Sequence, residues 1–468
     1  MAARGVGLFA PTPTPDALIR YQAALQPSAQ ADLGLLKPLP QYHLTVQVQG
    51  TTLIGVAKII VPNPGPEVVL RLYPNIENYH GQMTVTQAQI NGQAVVIVPE
   101  AGDTAIRLAV PPHEANEITV NLAFTVKLPS RDESADNYTL FGWDGPILSL
   151  AGFYPMLAVQ QAGEWMLDEP PSHGDVIFSE AALYQLDLTV PHDLVVAASG
   201  ITVDVIDNPD KTRTWQIIGG PFRDITAIVG PFQARSTQAA GAVVTAYYMA
   251  GHEAAAKQIL THAAAALQFY HDLYGAYPYT EFDIVEAPLN VRGMEYSGMA
   301  LIGRGLYEDN PKQADYLAFL VAHEVAHQWW YNGVGNNPYR SPWLDEALAE
   351  YSAFDYLRNT EGAAQAEQQL TGNWFIPFDT AAQGNIEGAI DRPVMDFNMR
   401  SYQLVVYTKG ALFIRALRAQ LGETMYRQVM QTYYQENRYR IATPQTFLAT
   451  AQRVSGQNLN PLAEAWLR

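Results

Sequence analysis

The sequence predicts an α+β multidomain fold in which an antiparallel β-sandwich domain precedes a mainly helical domain. With 468 residues, the chain exceeds the size that one hydrophobic core usually supports, so at least two domains are expected. From about residue 40 to 235 the apolar residues recur with the period of two that is typical of strands, and after about 236 they recur with a helical period. We therefore expect a β-sandwich over 36–235 and a helical domain over 236–468, preceded by an extended tail over 1–35.

The strands of the β half are indicated by apolar residues that alternate with polar or small ones. Two stretches show the alternation most clearly: Ile118, Val120, Leu122, Phe124, Val126 and Leu128 in the first, and Tyr184, Leu186, Leu188 and Val190 in the second. Asn91-Gly92 stands before another apolar run, and this dipeptide is a strong signal for a two-residue hairpin. In the tail, Pro11-Thr-Pro-Thr-Pro15 is typical of a stiff, extended linker.

The C-terminal half contains uninterrupted stretches with helical periodicity. Three are predicted to be helices: His252 to Tyr274, Pro311 to Tyr331, and Leu404 to Gln420. Between the first two, the stretch Phe282–Ala287 predicts a strand. Short helices close the chain, and we expect their N-caps at Thr443 and Asn460 because these side chains can accept hydrogen bonds from the first turn.

The charge of the chain argues against two classes of partner. The formal net charge is −18, whereas proteins that bind nucleic acids need clustered Lys and Arg to displace counterions from phosphates. Anionic membrane surfaces are disfavoured for the same reason. No apolar run reaches the roughly 20 residues that a bilayer-spanning helix needs, so we expect no nucleic-acid partner and no membrane span.

The absence of cysteine restricts the chemistry. With no cysteine in the chain, disulfides, thiolate metal ligands and a cysteine nucleophile are excluded, so any zinc must be held by His, Asp or Glu. The N-terminus lacks the features of a secretory signal. A cytoplasmic protein is the default expectation, an exported one would require a trimmed N-terminus, and the sequence leaves both the compartment and the oligomeric state open.

The motif His323-Glu-Val-Ala-His327 is the clearest chemical signal in the sequence. Two histidines four residues apart on a helix project from the same face, so both imidazoles can converge on one ion, with Glu324 beside it. The motif alone also occurs by chance in ordinary amphipathic helices. Glu346, nineteen residues after His327, adds a carboxylate on a second predicted helix, and two histidines with one carboxylate form the ligand set of a catalytic zinc.

Glu350 lies one helical turn after Glu346 and shares its face. It could accept the second ring N–H of His323 or His327, as metal-bound histidines usually require. A solvent-exposed glutamate is the alternative interpretation for both Glu346 and Glu350.

The segments HEVAHQWW and WLDEALAEY resemble the gluzincin aminopeptidases of the aminopeptidase N family, which includes the leukotriene hydrolase branch. Val291-Arg-Gly-Met-Glu-Tyr296 is similar to that family's GxMEN exopeptidase loop, and Val406-Tyr-Thr-Lys-Gly-Ala411 to its VYxKGA segment. The resemblance covers the chain from about 40 to 468. It implies a β domain packed on a thermolysin-like zinc catalytic domain, with the active site in the cleft between them, and a short form without the large C-terminal helical domain of many members.

The resemblance also implies a role for each site residue. His323, His327 and Glu346 would hold one Zn2+ per chain, with Glu324 as general base and then acid. Tyr407 would donate its hydroxyl to the oxyanion that develops during peptide hydrolysis. Glu295 would pair with the free α-ammonium of the substrate, with Met294 and Gly293 beside it in the substrate-binding loop.

The loop departs from the family pattern at two positions, because Arg292 replaces its first glycine and Tyr296 its asparagine. Arg292 either faces solvent or places its guanidinium near a substrate carboxylate. The sequence identifies neither the preferred N-terminal side chain nor a residue of the β half that helps to bind the substrate amine.

The expected function is therefore that of a zinc-dependent aminopeptidase that hydrolyses the N-terminal peptide bond of peptides with a free α-amine. Three alternatives remain at this stage: an epoxide hydrolase of the leukotriene hydrolase type, a thermolysin-type endopeptidase, and a non-catalytic scaffold or peptide-binding module. The presence of Glu295 favours an exopeptidase, and a binding module would need neither Glu324 nor Tyr407.

Overall fold

The computed structural model of the protein describes residues 15–36, 38–133, 138–308, 311–383 and 388–468. The first half consists mainly of strands. In chain order these are β1 (Gln41–Gln49), β2 (Thr52–Pro62), β3 (Glu67–Arg71), β4 (Gln82–Ile90), β5 (Gln93–Ala94), β6 (Val98–Glu100), β7 (Ala105–Ala109), β8 (Glu117–Lys127), β9 (Phe141–Asp144), β10 (Ile147–Leu150), β11 (Met156–Leu157), β12 (Gln160–Gln161), β13 (Glu164–Trp165), β14 (Ala182–Pro191), β15 (Val195–Ala198), β16 (Ile201–Asp207), β17 (Thr212–Phe222) and β18 (Ala227–Gly230).

The largest sheet of the described residues has eight strands in the order β16-β17-β14-β1-β2-β8-β4-β5. Its neighbours pair antiparallel, except that β1 and β14 run parallel. Two four-stranded sheets, β15-β18-β10-β9 and β11-β3-β7-β6, and the pair β12-β13 complete the β half. The predicted hairpin is present between β4 and β5, where Asn91 and Gly92 have φ values of 50° and 81°, as a tight primed turn requires.

The second half contains one five-stranded sheet, made of β19 (Gln233–Ala239), β20 (Ala242–Tyr248), β21 (Glu281–Ala287), β22 (Gly293–Tyr296) and β23 (Met299–Gly303). Its order is β19-β20-β21-β23-β22, which leaves β22 at an edge. Strand β21 confirms the strand predicted over Phe282–Ala287. The change from the first set of sheets to this one falls between Gly230 and Gln233, and the domain division at 235/236 stays a prediction.

Helices make up most of the rest of the described chain. The α-helices are α1 (Pro27–Gln30), α2 (Asp32–Leu35), α3 (Glu253–Tyr274), α4 (Pro311–Ala326), α5 (Trp343–Thr360), α6 (Ala363–Leu370), α7 (Ile376–Gln383), α8 (Met399–Tyr402), α9 (Gly410–Leu421), α10 (Glu423–Asn437), α11 (Pro444–Ser455) and α12 (Asn460–Leu467). Residues Thr371–Phe375 and Gln403–Lys409 form π-helical segments, and 3-10 segments span Pro15–Ala24, Tyr73–Asn75, Glu77–Tyr79, Arg304–Leu306 and Val394–Asp396. The predicted order, β-rich and then helical, is confirmed.

The helix boundaries differ in detail from those predicted. Helix α3 confirms the first helical stretch, but α4 ends at Ala326, five residues before Tyr331. There the N–H groups of Trp329 and Trp330 both donate to the carbonyl of Ala326, which tightens the chain into a turn. The third predicted helix begins as a π-helical segment and becomes α-helical only at Gly410.

The two predicted N-caps have different outcomes. Thr443 caps α11, and its hydroxyl accepts a hydrogen bond from the N–H of Thr446. Asn460 is instead the first helical residue of α12, and the N-cap is Leu459. The side chain of Asn458 accepts from the N–H of Asn460 at 3.1 Å, so a neighbouring asparagine satisfies the donor.

The prediction of an extended tail over 1–35 is wrong for residues 15–35, and the Pro11–Pro15 segment lies outside the described residues except for Pro15. Residues 15–35 form the 3-10 segment, α1 and α2. Tyr21 and Leu25 are buried, and their burial favours ordered turns over an extended linker. Most buried apolar residues of both halves form one continuous core, from Leu25 to Leu467, and two small clusters lie apart from it. Within the described ranges, every helix falls short of the length and apolar character that crossing a membrane requires.

Candidate active site

Helices α4 and α5 bring three candidate metal ligands to one point. His323 lies in the last turn of α4, His327 directly follows that helix, and Glu346 lies in the first turn of α5. The Nε2 atoms of the two histidines are 3.1 Å apart. Oε2 of Glu346 lies 3.4 Å from Nε2 of His323 and 3.6 Å from Nε2 of His327. The three residues predicted as zinc ligands therefore face one another.

The donor atoms fit a divalent ion. The ligand atoms of His323, His327 and Glu346 lie within 4.8 Å of one another, and all three residues are buried. Oε2 of Glu346 has no hydrogen-bond partner among the described residues, and a buried carboxylate oxygen without a partner is energetically costly. An ion with nitrogen and oxygen ligands would satisfy it, and two imidazoles plus one carboxylate leave the fourth position of zinc open.

The outer ring nitrogens of both histidines have acceptors nearby. Nδ1 of His327 lies 2.9 Å from the carbonyl oxygen of Trp330. Nδ1 of His323 lies 3.0 Å from Oε2 of Glu350, and Oε1 of Glu350 accepts a hydrogen bond from the indole of Trp374 at 2.9 Å. Such contacts orient each ring so that Nε2 faces the ion. Glu350 thus lies beside His323, and its role in orienting that ring stays a prediction.

Glu324 lies next to the candidate ligands, on the side of strand β22. It is buried, and this burial raises the pKa of Glu324 to about 8. A Cβ atom added to Gly293 would lie 2.1 Å from Oε1 of Glu324, so glycine is what lets the strand approach the carboxylate this closely. Oε2 of Glu324 has no hydrogen-bond partner in the described structure and is available to a water or substrate.

Three buried carboxylates form an acidic cluster next to the candidate ligands. It consists of Asp175, Glu295 and Asp345, whose ligand atoms lie within 4.8 Å of one another. Oε1 of Glu295 is 4.0 Å from Nδ1 of His327. Oε1 of Glu295 and Oδ2 of Asp345 have no hydrogen-bond donor among the described residues. This cluster can therefore accept hydrogen bonds from a cation.

The pKa values of the three acids also indicate that the cluster favours a bound cation. Burial raises the pKa of Glu295. Burial, and then the charge of Glu295, raise the pKa of Asp175 well above its usual value, and burial followed by the charge of Glu346 raises the pKa of Asp345 to about 8. Three acids held this close disfavour one another's ionised forms, and a bound cation would relieve that repulsion.

Sequence reasoning missed Asp175. It comes from the β half, after the hairpin β12-β13 and before β14, in a stretch without regular secondary structure. No periodicity or motif distinguishes it among the 46 acidic residues of the chain, and only the fold brings it to Glu295.

Tyr407 reaches the site from the π-helical segment Gln403–Lys409. Its hydroxyl donates a hydrogen bond to Oε1 of Glu346, while Oε2 of that residue faces the two histidines. Its ring stacks beside His323 with a centroid distance of 6.0 Å. π-Helical turns are frequent at functional sites because the extra residue redirects side chains. The hydroxyl is thus placed within reach of the candidate metal position.

The site opens into a cavity of about 530 Å³ between the two halves. Asp175 and Tyr138 line it from the β half, and Glu324, Tyr407 and Met294 line it from the second half. A cavity of this size suits a small organic ligand or short peptide. The cleft location expected from the family resemblance is present.

A buried pair of histidines with a facing glutamate, beside a further glutamate in a cleft, is the arrangement that a metallohydrolase requires. Comparison with known proteins narrows this class, since residues 259–466 match the Peptidase family M1 domain. Aminopeptidase M1-C of Oryza sativa subsp. japonica is 25% identical over 305 residues, which cover 61% of this chain and 34% of that protein. Aminopeptidase N of Haemophilus influenzae is 28% identical over 179 residues, covering 36% of this chain and 20% of that protein. The second half of the chain is therefore similar to the peptidase family M1 domain, and the chain is similar to aminopeptidases of that family.

Solved structures share the fold over nearly the whole chain. An M1 zinc metallopeptidase from Deinococcus radiodurans superposes with a TM-score of 0.69 at 19% identity, covering 92% of this chain and 93% of the other. A mutant of that peptidase bound to a Tyr-Ser-Ala substrate gives a TM-score of 0.65 at 18% identity, with the same coverage. By contrast, the chain spans only about a third of the length of its plant relatives.

Proposed function

We propose that this protein is a zinc-dependent aminopeptidase that hydrolyses the N-terminal peptide bond of peptides with a free α-amine. The observation that carries the proposal is the acidic cluster of Asp175, Glu295 and Asp345, which lies beside the candidate zinc ligands and lines the cavity through Asp175 and Glu295. A hydrolytic centre with an anionic pocket next to it can hold an ammonium group at a fixed distance from the bond that is cut.

His323, His327 and Glu346 would hold one Zn2+ per chain. When bound, zinc supplies Lewis-acid chemistry, polarising a carbonyl and lowering the pKa of water towards ~7. Glu350 and the carbonyl of Trp330 would keep the two imidazoles in the tautomer that presents Nε2.

Glu324 would accept the proton of the attacking water and return it to the leaving amine. Oε2 of Glu324 has no hydrogen-bond partner in the described structure, so it is available for this proton transfer. Tyr407 would donate its hydroxyl to the oxygen of the scissile carbonyl as that atom gains negative charge.

The acidic cluster would bind the α-ammonium of the substrate. An ammonium group offers three donors, and Oε1 of Glu295 and Oδ2 of Asp345 are two acceptors that lack donors in the described structure. A blocked amine would bring neither the charge nor the full set of donors. Peptides with a free N-terminus are therefore the expected substrates, and the net charge of −18 continues to disfavour nucleic acids.

A panel of aminoacyl-anilides, assayed with and without a chelator, tests the proposed function. We expect hydrolysis of several members, loss of activity on chelation, and recovery when zinc is restored to one ion per chain. N-acetylated versions of the same anilides should be poor substrates. A flat response across the panel by protein that contains zinc would instead indicate a peptide-binding module.

Removing one carboxylate from the acidic cluster should weaken the preference for a free amine. For Glu295→Ala and Asp175→Asn we expect the ratio of kcat/KM for free over N-acetylated substrate to fall by about 10- to 100-fold, because a hydrogen bond to a charged group contributes about 1.5–3 kcal/mol. Steady-state kinetics on matched anilides measure the ratio. Asp193→Asn, at an exposed position of the β half, is the matched control, and an unchanged ratio in both cluster variants would contradict this role.

A further inference from the structure

The walls of the cavity carry strongly unequal charge. Carboxylates line it from several elements: Asp175, Glu295, Glu324, Glu346 and Glu350. Against these, Arg292 is the one Arg or Lys among the described lining residues. A permanent cation in an otherwise anionic cavity attracts the opposite end of any substrate whose ammonium group is held by the carboxylates.

The guanidinium of Arg292 contacts the uncharged side chain of Tyr316, to which it also donates a hydrogen bond. Its carbon lies 4.6 Å from the centre of the Tyr316 ring, so its aromatic contact is with an uncharged side chain. Within the described part of the chain, no carboxylate forms an ion pair with it, although several line the same cavity. Arginine can stack on an aromatic ring through its face while its edge donates two parallel hydrogen bonds to a carboxylate.

Arg292 lies at the opposite end of the site from the acidic cluster. Strand β22 runs alongside α4, and three contacts fix their alignment: Glu295 lies beside His327, Gly293 faces Glu324, and Arg292 covers Tyr316. Tyr316 precedes His323 by seven residues on α4, which corresponds to about 10 Å along the helix at 1.5 Å per residue. The cavity thus has an anionic end, a hydrolytic centre and a cationic end in that order.

This order sets a length for the substrate. If the α-ammonium lies at Glu295 and the scissile carbonyl near Glu324, the rest of the peptide extends towards Arg292. An extended chain advances about 3.3–3.6 Å per residue, so two or three residues after the scissile bond cover the ~10 Å to Tyr316. We propose that Arg292 binds the free C-terminal carboxylate of tripeptides and tetrapeptides and makes short peptides the preferred substrates. This inference rests on the proposed function, whose substrate class it narrows.

The test compares peptide acids with peptide amides. For Ala-Ala-Ala and its C-terminal amide we expect wild-type kcat/KM to favour the acid by about tenfold or more, because a charge-assisted pair is lost in the amide. The difference should lie in KM, since the carboxylate contact is present before and during the reaction. The ratio should decline for peptides of six or more residues. In Arg292→Gln it should fall close to one, and Arg292→Lys should keep part of it.

A control variant and the anilide assay distinguish a failure of the Arg292 role from a failure of the proposed function. Arg235→Gln removes one exposed positive charge on β19 and should keep the wild-type ratio, which controls for the change in net charge. A wild-type ratio near one, or a ratio that Arg292→Gln leaves unchanged, would overturn the role of Arg292. Wild-type protein that cleaves aminoacyl-anilides without distinguishing acids from amides would overturn this inference alone, whereas zinc-loaded protein inactive on all anilides would overturn the proposed function.

Discussion

Replacing Glu324 with glutamine is expected to lower kcat by about 10²–10⁴-fold, the range that a positioned general base contributes. Glutamine has nearly the same shape and can keep the close approach to Gly293, but its amide cannot accept the proton of water. KM should change little because the acidic cluster and Arg292 are untouched. Stopped assays with an aminoacyl-anilide at saturating concentration measure the loss.

The control experiments separate a chemical effect from a structural one. Glu324→Gln should still bind one zinc per chain, since Glu324 is not among the three facing ligands. Glu464→Gln, which changes an exposed glutamate of α12, should behave as wild type. Turnover within a few-fold of wild type in zinc-loaded Glu324→Gln would show that another group takes the proton.

Replacing Tyr407 with phenylalanine should lower kcat by about 10²–10³-fold, or roughly 3–4 kcal/mol in the barrier, the usual cost of removing one oxyanion donor. Phenylalanine keeps the ring beside His323 and removes only the hydroxyl. The same hydroxyl donates to Oε1 of Glu346, so zinc affinity is a necessary second measurement. We expect the kcat loss to persist at zinc concentrations that saturate the variant.

Tyr307→Phe is a suitable control for this substitution. Tyr307 is also buried, and its hydroxyl has no hydrogen-bond partner among the described residues, so its removal should leave kcat near wild type. If added zinc restored full activity to Tyr407→Phe, the hydroxyl would act by orienting Glu346 and not on the substrate.

The candidate ligands could be predicted because their spacing is local. A separation of four positions, from His323 to His327 and from Glu346 to Glu350, places the two side chains of each pair on one helical face whatever the rest of the chain does. The hairpin at Asn91-Gly92 and the strand β21 were predictable for similar reasons, since turn chemistry and short apolar runs act over few residues. The structure places the predicted site residues together, and their catalytic roles remain predictions for the experiments above.

Features that depend on contacts between distant segments could not be predicted in this way. Asp175 lies 120 residues before Glu295 in the chain, and only the packing of the two halves brings them together. The sequence predicts an extended tail through residue 35, but over 15–35 the burial of Tyr21 and Leu25 stabilises turns and short helices instead. The π-helical turn at Tyr407 likewise follows from tertiary packing, because its sequence fits an ordinary α-helix.

The segment from Pro15 to Leu35 is hydrogen-bonded to both halves of the protein. The side chain of Gln185, on β14, donates a hydrogen bond to the hydroxyl of Tyr21 at 2.9 Å. Gln26 donates to the carbonyls of Ala240 and Tyr279 in the second half at 2.7 and 3.1 Å. Because one short segment is hydrogen-bonded to both halves, moving the halves apart would break these hydrogen bonds at the same time. The segment therefore acts as a tie that opposes separation of the two halves between which the cavity lies.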